Sequence, residues 1–150
     1  MAARVGCTAL PFATMDLATN KAVGSTRYLN IDSGHRRIEI GVTWIGTAYQ
    51  RSYINTEAKL LQLWYAFEAL KCRRVEFKTD IDNIKSRTAV LRLGATEEGI
   101  FRKHMLYPDG RNRDSVYFSI IDNEWPVVRA TLQCKLGDTV IPVFTKMDAT

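Results

Sequence analysis

An α/β (α+β) fold organised around a mixed sheet is what this sequence predicts, and three patterns predict it. Residues 37–44 alternate strictly, with Ile38, Ile40, Val42 and Trp44 on one face and Arg37, Glu39, Gly41 and Thr43 on the other. That period of two is the mark of a half-buried strand. Residues 56–70 then place Leu60, Leu63, Trp64, Phe67 and Leu70 at three- and four-residue steps, the broad apolar stripe of a helix. Val75 and Phe77 next alternate with Arg74, Glu76 and Lys78, and a shorter helical segment follows. Strand, helix, strand, helix is the order that a right-handed crossover between parallel strands requires.

The remaining elements follow in chain order. Residues 12–17 and 23–29 read as short strands, and Asn20-Lys21 between them suggests a hairpin. Asn55 or Thr56 is suited to cap the long helix, with Glu57 in its first turn facing the positive end of the dipole. The second helix is expected over 82–93, closed by Gly94 just past its end. Residues 95–107 form a longer strand, bent near Gly99. Tyr107-Pro108-Asp109-Gly110-Arg111 has turn chemistry, and 113–121 returns with Val116, Phe118 and Ile120 on one face. Pro126 fits the first turn of a final helix carrying Val128 and Leu132. Residues 140–144 are strand-like, but Pro142 confines them to a sheet edge or to no sheet at all.

Composition narrows the function classes. A chain of 150 residues fits one domain, and 46% hydrophobic with 25% charged residues is ordinary for a globular protein. The net charge of +5 favours an anionic ligand, yet it is too small and too dispersed to argue for nucleic acid. Cys7, Cys72 and Cys134 are an odd set without a close pair, which argues against a disulfide framework and a zinc site and for a reduced, cytoplasmic setting. No apolar run reaches membrane-spanning length. The apolar residues at the start are interrupted by Gly6, Thr8 and Pro11, unlike a signal peptide.

The segment 49–58 is the most telling. It is a polar turn between a strand and a strong helix, where unpaired N–H groups and the helix dipole favour an anion such as a phosphate. The bland alternative is an ordinary capped helix start, since Ser, Asn and Thr are common there.

Three segments together resemble the GNAT superfamily of acyl-CoA-dependent N-acyltransferases, in its branch related to ribosomal-protein-alanine acetyltransferases. They are Ile40-Gly41-Val42-Thr43-Trp44-Ile45 leading to 50–58; Phe77-Lys78-Thr79-Asp80 through Asn83-Ile84-Lys85-Ser86; and Leu93-Gly94-Ala95 with Pro108-Asp109-Gly110-Arg111 and Asp114-Ser115-Val116-Tyr117. The resemblance implies a mixed, mostly antiparallel twisted sheet with helices on both faces, lacking the family's first strand and the two helices after it. It divides the chain into an N-terminal segment 1–11, an acetyl-CoA-binding domain 12–133 and a tail 134–150. It also implies that Trp44 and Ile45 offer backbone groups to a pantetheine arm, added like a strand in a gap between two splayed strands. Gln50, Arg51, Ser52, Tyr53, Ile54, Asn55 and Thr56 would hold the pyrophosphate, and Asn83 and Ser86 would meet the pantetheine and the thioester sulfur. In this chain the family's two small turn positions hold Tyr53 and Asn55, and a Tyr in left-handed geometry there would cost roughly 1–2 kcal/mol.

The implied reaction is acetyl transfer from acetyl-CoA to a primary amine, a protein N-terminus or a small molecule, by direct attack. Ser86 is the candidate proton donor to the leaving thiolate, although polar residues there also serve simply to satisfy helix N–H groups. Glu39, Glu97, Glu98 and His104 are the candidate bases, with Glu39 carried forward; it could equally pair with Arg37 or Lys78, and a bound water could act instead. Leu60, Trp64 and Phe67 are core by their helical spacing. The pairs Arg36-Arg37 and Arg73-Arg74 read as solvated strand starts, with an acidic acceptor or the cofactor's ribose phosphate as the alternative partner, and Arg111 and Arg113 read as exposed. A sheet missing its first strand exposes an edge, so a homodimer is expected, with 140–144 covering that edge or a partner's. The alternative function is a non-catalytic acyl-CoA-binding module of the same fold.

Overall fold

The first hairpin pairs β1 (Ala9–Asp16) with β2 (Lys21–Asp32) across a turn whose last residue, Asn20, takes φ 52°. A computed structural model describes residues 9–137, and within it β2 pairs antiparallel with β3 (Arg37–Ile45). A turn of 3-10 helix at Thr47–Tyr49 leads into α1 (Tyr53–Trp64). The chain returns as β4 (Arg74–Asp80), parallel to β3, which is the crossover the sequence pattern called for. Then come α2 (Ile84–Arg92), the hairpin of β5 (Thr96–Leu106) and β6 (Asn112–Ile121), and α3 (Trp125–Leu136). The six strands lie in the order β1-β2-β3-β4-β6-β5, and only the β3–β4 pair is parallel.

The core forms where the alternating faces of the strands meet the helix stripes. Ile38, Ile40, Val75, Val116, Phe118 and Ile120 from the strands pack with Leu60, Leu63 and Trp64 of α1 and with Trp125, Val128 and Leu132 of α3. Each such aliphatic or aromatic side chain contributes about 1.5–3 kcal/mol by leaving water. Phe67 stacks on Trp125 with ring centroids 5.3 Å apart, tying the end of the first helix to the last. Among the described residues α1 and α3 supply buried side chains to this cluster, and Val90 of α2 packs against it.

Several local expectations shift. Strand β1 begins at Ala9, ahead of residue 12, and α3 runs on past Leu132 to Leu136. Helix α1 begins at Tyr53 with Ser52 as its cap, so Asn55 and Thr56 lie inside its first turn and Glu57 falls beyond that turn. After Trp64 the helix widens into a π turn, Tyr65–Ala69, closed by Leu70 N–H donating to the Tyr65 carbonyl at 2.9 Å. The extra residue in that turn rotates the following positions, so Leu70 leaves the apolar stripe and is exposed. Gly94 (φ 95°) ends α2 as expected, and the register of β5 slips at Gly99. The candidate strand 140–144 lies outside the described residues.

The strict alternation of 37–44 is also interrupted. Val42 takes φ 49°, and Val42 and Thr43 together oppose the single residue Thr26, a β-bulge. One extra residue reverses every side chain beyond it. Thr43 therefore turns to the helix side, while Val42 and Trp44 are exposed.

Candidate active site

Strands β3 and β4 run side by side only at their starts. The pairs are Arg37 with Arg74, Ile38 with Val75 and Glu39 with Glu76, and no pair follows. Beyond that point each strand stays bonded on its outer side: Ile40, Gly41, Trp44 and Ile45 remain paired with β2, and Phe77 to Asp80 remain paired with β6. The facing edges carry backbone N–H and C=O groups released from one another across a split. Both α1 and α2 start beyond the C-terminal ends of these two strands, so two helix N-termini open at the same side of the sheet. Their dipoles and first-turn amides point positive charge there.

The turn before α1 is built by its own side chains. Arg51 takes the left-handed conformation, φ 61°, and Tyr53 is a regular helical residue. The strain expected at Tyr53 is therefore absent there, because the turn reverses two residues earlier. Ser52 Oγ donates to the Tyr49 carbonyl at 2.6 Å and accepts from Ile54 N–H at 3.3 Å. Gln50 Nε2 donates to the Ile45 carbonyl at 3.1 Å, fixing the turn to the end of β3. Ile54 is buried, so only its backbone faces outward. Asn55 Oδ1 is buried without a hydrogen-bond partner, an orphaned acceptor in the first turn of the helix. Tyr53 lines a groove between β1 and α1 with Phe12, Ile54, Leu61 and Tyr65, which puts its ring on the β1 side of the helix.

At the head of α2, Asn83 Oδ1 accepts from Ser86 N–H at 3.0 Å, so Asn83 is the N-cap. That satisfies the plain structural reading of both residues and leaves the Asn83 amide NH2 and the Ser86 hydroxyl to be accounted for. Asn83 is exposed and Ser86 half-buried.

Glu39 sits where the split begins. It is 2% exposed, accepts from Asn30 Nδ2 at 2.7 Å and lies 3.5 Å from Lys78 Nζ. It opens onto a polar concavity of about 810 Å³ on the face of the sheet away from the core, shared with Arg37, Arg74, Glu98 and Tyr117. The other candidate bases are placed differently. Arg74 grips Glu98 with two bonds of 2.6 and 2.5 Å, which holds that carboxyl down at about 2 and makes it a poor proton acceptor. Glu97 pairs with Arg87 at 3.5 Å. His104 bonds the buried Ser115 hydroxyl at 3.0 Å, on β5 at the far edge of the sheet. Arg113, expected to be solvated, is partly buried and lies 3.4 Å from Asp80, which also accepts from the Tyr107 hydroxyl.

One group near the site went unread in the sequence. Lys59 of α1 is 4% exposed beneath the bulge of β3, bonded to Thr26, Thr43 and Gln62. Burial lowers its ammonium to about 7. A lysine four residues before Leu63 and next to Leu60, inside an apolar stripe, was the available signal.

A split between parallel strands, headed by two helix N-termini, is the centre of the site. The chain belongs to the GNAT acetyltransferase domain family, whose model matches residues 4–96. It is 38% identical over 96 residues to the Bacillus subtilis (strain 168) protein named "Putative ribosomal N-acetyltransferase YdaF", covering 64% of this chain and 51% of that one. Another Bacillus subtilis relative, N-acetyltransferase YoaA, is 28% identical over 103 residues, 69% of this chain and 57% of its own. The crystal structure of a GCN5-related N-acetyltransferase from Brucella melitensis superposes with a TM-score of 0.83 at 39% identity, covering 87% of this chain and 58% of that one. The chain thus spans about half the length of the curated relatives it matches. No helix among the described residues is long and apolar enough to cross a membrane.

Proposed function

We propose that this chain binds acetyl-CoA in the split between β3 and β4 and transfers its acetyl group to a primary amine. The observation that carries this reading is the end of β3–β4 pairing at Glu39 and Glu76 while both strands continue. The strand edges left unpaired beyond Glu39 and Glu76 fit an extended ligand that bonds to backbone, and the helix N-termini beyond them fit an anionic end. Acetyl-CoA, when bound, supplies an acetyl thioester activated toward amines.

The residues take roles by position. The turn 50–56 cradles the pyrophosphate, the backbone of Trp44 and Ile45 receives the pantetheine arm, and an N–H at the end of β3 stabilises the oxyanion. The Asn83 NH2 donates to the pantetheine arm without surrendering its cap, since the two bonds use different atoms. Glu39 takes the proton of the attacking amine through a water in the polar concavity. Ser86 would place its hydroxyl near the thioester sulfur, where it would pass a proton to the departing thiolate and regain one from water as the nitrogen–carbon bond forms and the carbon–sulfur bond breaks. The acceptor class is a protein N-terminus or a small primary amine; the relative YdaF carries the name of a ribosomal N-acetyltransferase. A homodimer through β1, the edge strand among the described residues, which exposes Leu10 and Met15, belongs to the same reading.

The test is release of free coenzyme A thiol from acetyl-CoA in the presence of peptides with free N-termini and small amines. Amine-dependent release that Glu39→Gln lowers 10²-fold or more supports the assignment. Thermal stabilisation by coenzyme A without turnover across the panel leaves the binding-module reading, and no stabilisation at all removes both. Sedimentation at high concentration showing only monomer removes the dimer.

A further inference from the structure

A β-branched residue with φ near 50° is a genuine outlier, and such a backbone persists only when its surroundings over-determine it. At Val42 the surroundings lie beneath the sheet. The hydroxyls of Thr43, in the bulge, and Thr26, opposite it, meet at 3.0 Å. From α1, Lys59 Nζ donates to Thr43 at 2.7 Å, to Thr26 at 2.8 Å and to Gln62 Oε1 at 3.0 Å. All three ammonium protons are thereby used. No carboxylate pairs with it among the described residues, so the group is held without a counter-charge. An apolar side chain of similar length would fill that space at a smaller desolvation cost. What the amine adds is a fixed join between one helix and two strands.

We propose that Lys59 is a positioning residue, whose bonds to Thr26, Thr43 and Gln62 lock the bulge at Val42 and so hold the Trp44–Ile45 backbone away from β4. For its ligand this rests on the acetyl-CoA reading above; the brace itself is a property of the fold and has its own readout. Gln62 is fixed in turn by the Tyr28 hydroxyl, which donates to its carbonyl at 2.6 Å. The join therefore runs from α1 through both strands that flank the bulge.

The experiment compares Lys59→Met, Val42→Gly and the double variant. Backbone amide exchange in peptides covering residues 40–46 reports the brace, and acetyl-CoA affinity and the KM-against-kcat split report its use. Lys59→Met is expected to speed exchange at residues 43–45 at least tenfold while β6 and α3 keep wild-type protection. The KM for acetyl-CoA rises about tenfold or more, and the KM for the amine is unchanged. Glycine at position 42 adopts the left-handed conformation freely, so the double variant recovers most of both losses. Unchanged exchange at residues 43–45 overturns the proposal. So does faster exchange spread evenly through the sheet without rescue by Val42→Gly, which would make Lys59 core packing. If Lys59→Met does not fold, Thr43→Val deletes one acceptor and is read by the same two measurements. A wild-type chain that binds no coenzyme A sinks the functional reading alone, and exchange then judges the brace.

Discussion

Strand β4 has two neighbours and treats them differently. Along β6 it is paired from Arg74 opposite Ile121 to Asp80 opposite Ser115, the whole of its length. Along β3 the pairing stops after Glu76. The same backbone makes both edges, so the split is not a property of β4. It comes from β3, which bulges at Val42 and follows β2 away from the parallel partner. Where a sheet opens is thus decided by one strand's local geometry and by what that strand is anchored to.

The sharpest way to break this contrast is at Gly24, opposite Ile45 on β2. A Cβ there would come within 2.4 Å of the Trp44 carbonyl oxygen, backbone that cannot swing aside like a side chain. Gly24→Val is expected to lower stability by about 3 kcal/mol, the upper end for overpacking, and to weaken coenzyme A binding more than tenfold. Urea unfolding and calorimetric titration measure the two effects. An unchanged urea midpoint would mean that β2 does not steer the end of β3.

A pH titration of stability examines the anchor itself. Burial lowers the Lys59 ammonium to about 7, so between about 7 and the ordinary lysine value the unfolded chain binds the extra proton. Stability contributed through this group accordingly rises with pH across that window. Lys59→Met should flatten the rise, read by thermal unfolding between pH 7 and 10. Equal slopes in both proteins would place the amine in water.

Asn83→Ala removes a helix cap and a proposed ligand contact together. The cap is worth about 0.5–2 kcal/mol, and loss of the contact should show as weaker binding in titration with acetyl-CoA. An affinity unaffected by the change takes Asn83 out of the site and leaves it a cap.

The smallest effect belongs to the closed side of the sheet. Arg74 holds the Glu98 carboxyl down at about 2, so their pairing stabilises the fold at neutral pH and is lost as pH falls from the ordinary carboxylate range toward 2. Glu98 is 39% exposed, which limits Glu98→Gln to about 0.2–1 kcal/mol by urea unfolding at pH 7, and the gap from wild type should close near pH 2.

The sequence made the strands and helices readable because their apolar periods differ, two against three or four. Ile38 with Ile40, and Leu60 with Leu63, announce their elements without help. The bulge was not readable, since Val42 and Trp44 continue the alternation in letters while the backbone breaks it. The helix start was also misplaced by a few residues, because Ser52, Asn55 and Thr56 are all competent caps and only the left-handed Arg51 chooses among them. Glu39 stood out as a candidate, whereas its partner Asn30 comes from the neighbouring strand and no spacing in the chain reveals that contact.

The reversal at Val42 leaves the three tryptophans in unlike optical environments. Trp64 and Trp125 are 9% and 4% exposed, while Trp44 is 63% exposed at the lip of the opening. The red-shifted part of the intrinsic fluorescence therefore originates at one position, and a quencher dissolved in the buffer reaches that indole first. A molecule settling between the two strands is expected to dim or shield this component, which a fluorescence titration with coenzyme A measures.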